Sequence, residues 1–239
     1  MTGYFEQIFS DPGAITPSRL LYWIQEISGH HATSLGCGRA VLEEKDLFWA
    51  IIRNKLEILR LPKAGEEIRL RTWPMPTTRS AYPRATEGYD RDGNVVFRCV
   101  SLWVMMRFSD RTMVLPKHTG VEVPGITLGN ELPFPGSLSQ IPMENPKSRQ
   151  VKEEDLDINR HMNNCRYLDW AEDLLPESKK LSQGCRWTVC YLSEARLGDD
   201  LTLSFATEED GSVRIEGVRE EENDAAKQHR IFAAKLEKI

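Results

Sequence analysis

The chain has 239 residues, room for one large domain or two modest ones, and its 40% hydrophobic and 28% charged residues are those of an ordinary soluble protein with material for a sizeable core. A net charge of −5 argues against a nucleic-acid partner, no window has the uncharged apolar length of a membrane span, and the N-terminus lacks the basic start and apolar core of a secretory signal. Five cysteines (Cys37, Cys99, Cys165, Cys185 and Cys190) without a C-x-x-C pair read as reduced thiols in a cytoplasmic protein.

In chain order, Thr16 and Pro17 form a helix start, a side-chain cap followed by proline at the first helical position. Leu20, Ile24 and Ile27 then recur at helical spacing, which predicts one apolar face. Residues 53–111 hold twelve Lys or Arg against seven acids, a local excess of +5 that leaves −10 on the rest of the chain. Such a region could attract an acidic partner or simply form the solvated outer faces of strands. "EIRLRTW" alternates Ile68, Leu70 and Thr72 against Arg69, Arg71 and Trp73, and "DRDGN" at 90–94 reads as a hairpin turn leading into a long buried strand over 94–106.

A proline-rich stretch over 123–146 reads as a linker. Beyond it, Asp157, Asn159 and His161 stand at alternate positions and would share one face of an extended segment. A second helix follows over 164–175, with Leu168, Ala171 and Leu175 on a stripe and Pro176 as its stop. "LTLSFAT" alternates like a strand, "EEDGS" at 208–212 is a second hairpin turn, and "QHRIFAAKLEKI" reads as a final strand.

Helix-then-strands thus occurs twice. Residues 53–70 lie over 186–203 at a shift of 133, pairing Gly65 with Gly198, and 11–26 lie over 157–172 at a shift of 146. Two matches in the same order, with the same element types, indicate an internal duplication. In this alignment Asn159 and His161 face Gly13 and Ile15 of the first copy, and Glu194 faces Leu61. Polar groups in one copy and apolar or small ones in the other suggest one live site and one retired site.

With those residues in view, the chain resembles the acyl-acyl carrier protein thioesterases of the plant FatA/FatB type and their bacterial relatives. "DINRHMNN" is similar to that family's D-x-N-x-H-x-N-N, and "YLSEARLGD" to its Y-x-x-E with a following G-D. The resemblance covers essentially the whole chain. It implies an α+β protein with a tandem double hot-dog fold, each unit a long helix wrapped by an antiparallel sheet. The units would be 1–130, without a catalytic set and substrate-binding, and 146–239, catalytic, joined by a linker over 131–145. It further implies hydrolysis of a fatty acyl-acyl carrier protein thioester by Asp157, Asn159, His161 and Glu194, with no cofactor and no metal, and release of free fatty acid. The partner would be acyl carrier protein with its phosphopantetheine-linked chain, not nucleic acid or membrane; a homodimer stays open. The family's often-discussed cysteine after the Y-x-x-E glutamate is Ala195 here, which favours carboxylate-assisted attack by water.

Each residue also has a bland reading. Asp157 could hold a turn, Asn163 and Asn164 could be plain helix caps, His161 could be structural, and Glu194, before a Gly-Asp turn, could simply be exposed. On the functional side, the free backbone amides at the helix start near Asn163 and Asn164 suit a developing oxyanion. The six tryptophans read as core or as walls of an acyl tunnel. An acyl-CoA thioesterase or hydratase on the same fold, or a non-catalytic acyl-binding protein, are the alternatives.

Overall fold

The computed structural model describes residues 3–221 and 224–239. The chain divides into two units, Met1–Pro135 and Gly136–Ile239. The first contains β1 (Phe5–Phe9), α1 (Pro17–Ser34), α2 (Arg39–Glu43), β2 (Leu47–Arg60), β3 (Ile68–Pro74), β4 (Tyr82–Tyr89), β5 (Val95–Arg107) and β6 (Met113–Val114). The second contains β7 (Glu144–Gln150), α3 (Asn164–Leu174), β8 (Gln183–Tyr191), β9 (Asp200–Thr207), β10 (Val213–Glu221) and β11 (Asp224–Lys238).

Both helices start as their sequences dictate. Thr16 Oγ1 accepts the Arg19 amide at 3.2 Å with Pro17 behind it, and Asn163 Oδ1 accepts the Cys165 amide at 2.9 Å. Each cap follows a buried apolar residue, Ile15 or Met162. α1 then buries Leu20, Trp23, Ile24 and Ile27 and packs on β1 and β3. α3 buries Tyr167, Leu168, Trp170 and Ala171 and packs on β9 and β11.

The sheet of the first unit runs β1-β3-β4-β5-β2, all antiparallel, with β6 paired to β5. That of the second runs β7-β9-β10-β11-β8, also antiparallel. Taken in chain order the two sequences of neighbours are the same, so the duplication extends to topology: each unit is a hot-dog fold. Finer marks repeat as well. Gly88 of β4 lies opposite Phe97, Gly217 of β10 opposite Phe232, and a register shift follows each glycine. An added Cβ would meet the phenylalanine ring at 2.2 Å in both places, so only glycine lets the ring lie across its neighbour strand. Gly65 and Gly198, at φ 75° and 85°, turn the chain into β3 and β9, a left-handed conformation that costs glycine nothing.

Three details differ from the sequence reading. The structural caps Thr16 and Asn163 place the helix starts at a shift of 147, one residue from the sequence alignment, because Ile15 and Met162 are the equivalent buried residues. His161 therefore corresponds to Ala14. The extra length of the first copy is partly helix, since α1 has 18 residues and α3 has 11, with α2 added. Residues 157–160 are a tight turn, not an extended run: the Arg160 amide bonds to the Asp157 carbonyl at 3.0 Å, and Arg160 takes φ 64°.

Trp73, Trp170 and Trp187 are wholly buried, as are all five cysteine thiols. Among the described residues no helix is long and apolar enough to cross a membrane.

Candidate active site

The turn that precedes α3 is built by Asp157. Its Oδ1 accepts the amides of Asn159 at 2.8 Å and His161 at 3.2 Å, and its Oδ2 accepts Asn159 Nδ2 at 3.3 Å. The chain closes on itself through the Asp157 amide and the His161 carbonyl, 2.7 Å apart. The turn projects Ile158 and Asn159 to solvent and returns His161 to the protein, where its side chain is 15% exposed.

Glu194 lies in the loop just past β8, not on the strand, because pairing of β8 with β11 ends at Tyr191. That loop is sewn to the turn. His161 and Arg196 form a bridge, the Met162 amide donates to the Ala195 carbonyl at 2.8 Å, and the Ala195 amide donates to the Tyr167 hydroxyl of α3 at 3.2 Å. The result places His161 Nε2 3.4 Å from Glu194 Oε2, with Arg196 4.0 Å from the same oxygen. The carboxylate side chain is 44% exposed, so the pair stands at the surface end of the turn, open to water.

The structure therefore joins the four predicted residues in two steps. Asp157 and Asn159 bond to each other and to the His161 backbone, and His161 alone reaches Glu194 through its ring. At the equivalent positions the first unit has Ala14 and Leu61, neither titratable. Beneath the site, the buried Asp155 carboxylate accepts from Arg166 at 2.8 and 3.0 Å, from Trp170 Nε1 at 3.3 Å and from the Lys152 amide at 3.0 Å, while its carbonyl accepts the Asn163 amide. The amide of Asn164, first in α3, has no acceptor among the described residues and sits at the positive end of the helix.

Asp155 and Tyr167 were not singled out from sequence. For Tyr167 a signal existed: the first helix carries apolar Leu20 at the matching position, so a hydroxyl there is a difference between the copies. Burial pushes the Tyr167 hydroxyl well above its ordinary range, which keeps it a neutral acceptor for the Ala195 amide. Glu172, further along α3, is raised to about 8 by burial first and by the Asp169 charge second.

Residues 12–116 match the acyl-ACP thioesterase N-terminal domain and residues 139–237 the acyl-ACP thioesterase C-terminal domain. A chloroplastic dodecanoyl-[acyl-carrier-protein] hydrolase of Cinnamomum camphora is 27% identical over 207 residues, 79% of this chain and 53% of that protein. A chloroplastic palmitoyl-acyl carrier protein thioesterase of Gossypium hirsutum is 26% identical over 68% of this chain and 44% of its own. The chain thus spans about half the length of these plant relatives. Among solved structures, an acyl-ACP thioesterase from Bacteroides thetaiotaomicron superposes with a TM-score of 0.79 at 23% identity, covering 98% of this chain and 97% of the other. The 12:0-ACP thioesterase from Umbellularia californica gives 0.76 at 19%, covering 99% and 97%.

Proposed function

The chain belongs to the acyl-acyl carrier protein thioesterase family, and from that premise we propose that it hydrolyses the thioester between a fatty acyl chain and the phosphopantetheine arm of acyl carrier protein, releasing free fatty acid. The observation that supports this most directly is the His161–Glu194 pair, present in the second unit and replaced by Ala14 and Leu61 in the first. The second unit is then the catalytic one and the first contributes to holding substrate.

In this reading Glu194 fixes the imidazole with its proton on Nε2, which leaves Nδ1 to take a proton from water. The water oxygen attacks the thioester carbonyl carbon, and the carbonyl oxygen becomes an oxyanion. The Asn164 amide at the start of α3 and the exposed Asn159 amide group are the donors available to it. Collapse breaks the carbon–sulfur bond, and the proton held by His161 goes to the departing thiolate. Asp157 keeps the turn in register so that His161 meets Glu194. No cysteine takes part: Ala195 occupies the family position, with its amide and carbonyl both used to hold the loop.

The test is thiol release from acyl carrier protein carrying single chain lengths, beside the same chains on coenzyme A. We expect faster turnover of the carrier-protein form. His161→Ala should lower kcat by about 10²–10⁴-fold, the usual contribution of a positioned base, with Asp157→Ala also impaired through loss of the turn. Binding of acyl chains without thiol release would remove the enzymatic reading. Equal or faster turnover of the coenzyme A form would move it to the acyl-CoA class.

A further inference from the structure

The interior of the first unit holds a cation without a counter-ion. Arg84 of β4 is 7% exposed, and no carboxylate lies within ion-pair distance of it among the described residues. The two buried acids of the same sheet, Glu57 and Glu87, lie 3.7 and 3.2 Å from Arg98 instead. The acidic group that acts on Arg84 is the Cys37 thiol, which burial itself pushes up and so keeps neutral. Burial draws Arg84 down to about 10, still charged at neutral pH. A buried charge without a counter-ion is strongly unfavourable, so its retention calls for a compensating group.

The surroundings supply only part of one. Nη1 donates to His31 Nδ1 at 3.0 Å and to Thr72 Oγ1 at 3.3 Å. A guanidinium has no lone pair to offer, so His31 must accept at Nδ1 and carry its proton on Nε2. Its ring stacks on Phe5 at 5.5 Å. Arg84 Nε and Nη2 and His31 Nε2–H have no protein acceptor among the described residues, and none of the three is sealed from solvent, so a ligand can reach them. Alongside, Ser101 and Asn54 lie opposite Arg84 in sequence across β5 and β2, both buried, and Thr86 lies opposite Thr72. Three donors without a protein acceptor thus stand together on a sheet face that also carries the buried polar groups Thr72, Thr86, Ser101 and Asn54.

We propose that Arg84, with His31 and Thr72, forms a buried receptor for a carboxylate. The planar fork of Arg84 matches the two oxygens of that group, and the solvent access that its free donors keep would admit either a small free carboxylate or the head of a slender apolar chain. Neutral polar groups make a weaker match, because a charge-assisted bond to an interior guanidinium exceeds one to a hydroxyl.

The experiment is calorimetric titration of the whole protein with acetate, dodecanoate and dodecanol. Dodecanoate should bind wild type at least about tenfold more tightly than dodecanol, the effect of one charge-assisted bond, and Arg84→Met should abolish that advantage. Acetate binding that also depends on Arg84 would identify a small free anion as the occupant; dodecanoate alone would identify a chain-borne carboxylate. Equal affinity for acid and alcohol in wild type, or an advantage that survives Arg84→Met, overturns the proposal. Should Arg84→Met not fold, nuclear Overhauser contacts in wild type between the His31 ring and the α-methylene of bound dodecanoate decide it, and their absence counts against the site. Binding is measured without hydrolysis, so this proposal and the thioesterase reading fail separately.

Discussion

His31 shows how one buried side chain ties stability to pH. Burial, and then the neighbouring Arg84 charge, lower its pKa from the ordinary 6.5 to about 4. Between those values the unfolded chain binds a proton that the native chain refuses. The native state is therefore fully stable above about 6.5 and loses stability as pH falls toward 4. A shift of this size corresponds to roughly 3 kcal/mol. His31→Gln keeps an oxygen that can accept from Arg84 and removes the titration. Urea unfolding at pH 7 and pH 4.5 should show wild type losing about 2 kcal/mol more than the variant between the two; equal losses would show that His31 does not titrate in this way. In the second unit the buried Tyr167 acts by a hydrogen bond and not by titration. Tyr167→Phe strips the acceptor from the buried Ala195 amide, which should cost about 1–3 kcal/mol and lower kcat more than it changes KM, because the loop bearing Glu194 is loosened. An unchanged unfolding midpoint would mean that the amide finds another partner.

At the level of elements, the most legible parts of the sequence were those with strong local causes. Thr16–Pro17 and Asn163 cap their helices, Leu20, Ile24 and Ile27 are buried, and the turns at 90–94 and 208–212 form where their glycines stand. The turn at 157–160 was misjudged because alternation of Asp157, Asn159 and His161 looks the same whether the backbone is extended or folded back. What decides between them is Asp157 bonding to amides two and four residues on, a competition that periodicity does not register. Likewise, that His161 meets Glu194 depends on a loop being sewn to a turn by Ala195 and Met162 backbone groups, which carry no side-chain signal. The paired Gly88–Phe97 and Gly217–Phe232 contacts were equally hidden, since register is a property of two strands together. They yield a sharp expectation. Gly88→Ala and Gly217→Ala should each cost about 1–3 kcal/mol, as a new methyl at 2.2 Å displaces a buried ring. Thermal unfolding checks this, and a neutral outcome at both sites would mean that the rings move aside freely.

For the whole molecule, the proposed function raises the question of how a protein of net charge −5 would meet an acidic carrier. The excess of basic residues over 53–111 suggested an electrostatic docking surface, but the fold spends much of that charge internally. Arg60 pairs with Glu66 and Asp90, Arg69 and Arg71 share Glu6, Arg91 meets Glu67, Arg98 lies between Glu57 and Glu87, and Arg84 is buried. A partner therefore meets a far weaker field than the count of twelve implies, and long-range steering scales with that field. Raising ionic strength from about 0.05 to 0.5 M shortens the screening length from roughly 14 to 4 Å, enough to extinguish steering where it exists. KM for an acyl carrier protein substrate should then rise by no more than about threefold over that range, close to the change for a small acyl thioester measured in parallel. A tenfold or larger rise confined to the carrier substrate would show that the cations of this stretch without an ion pair among the described residues, such as Arg79, suffice to guide the encounter.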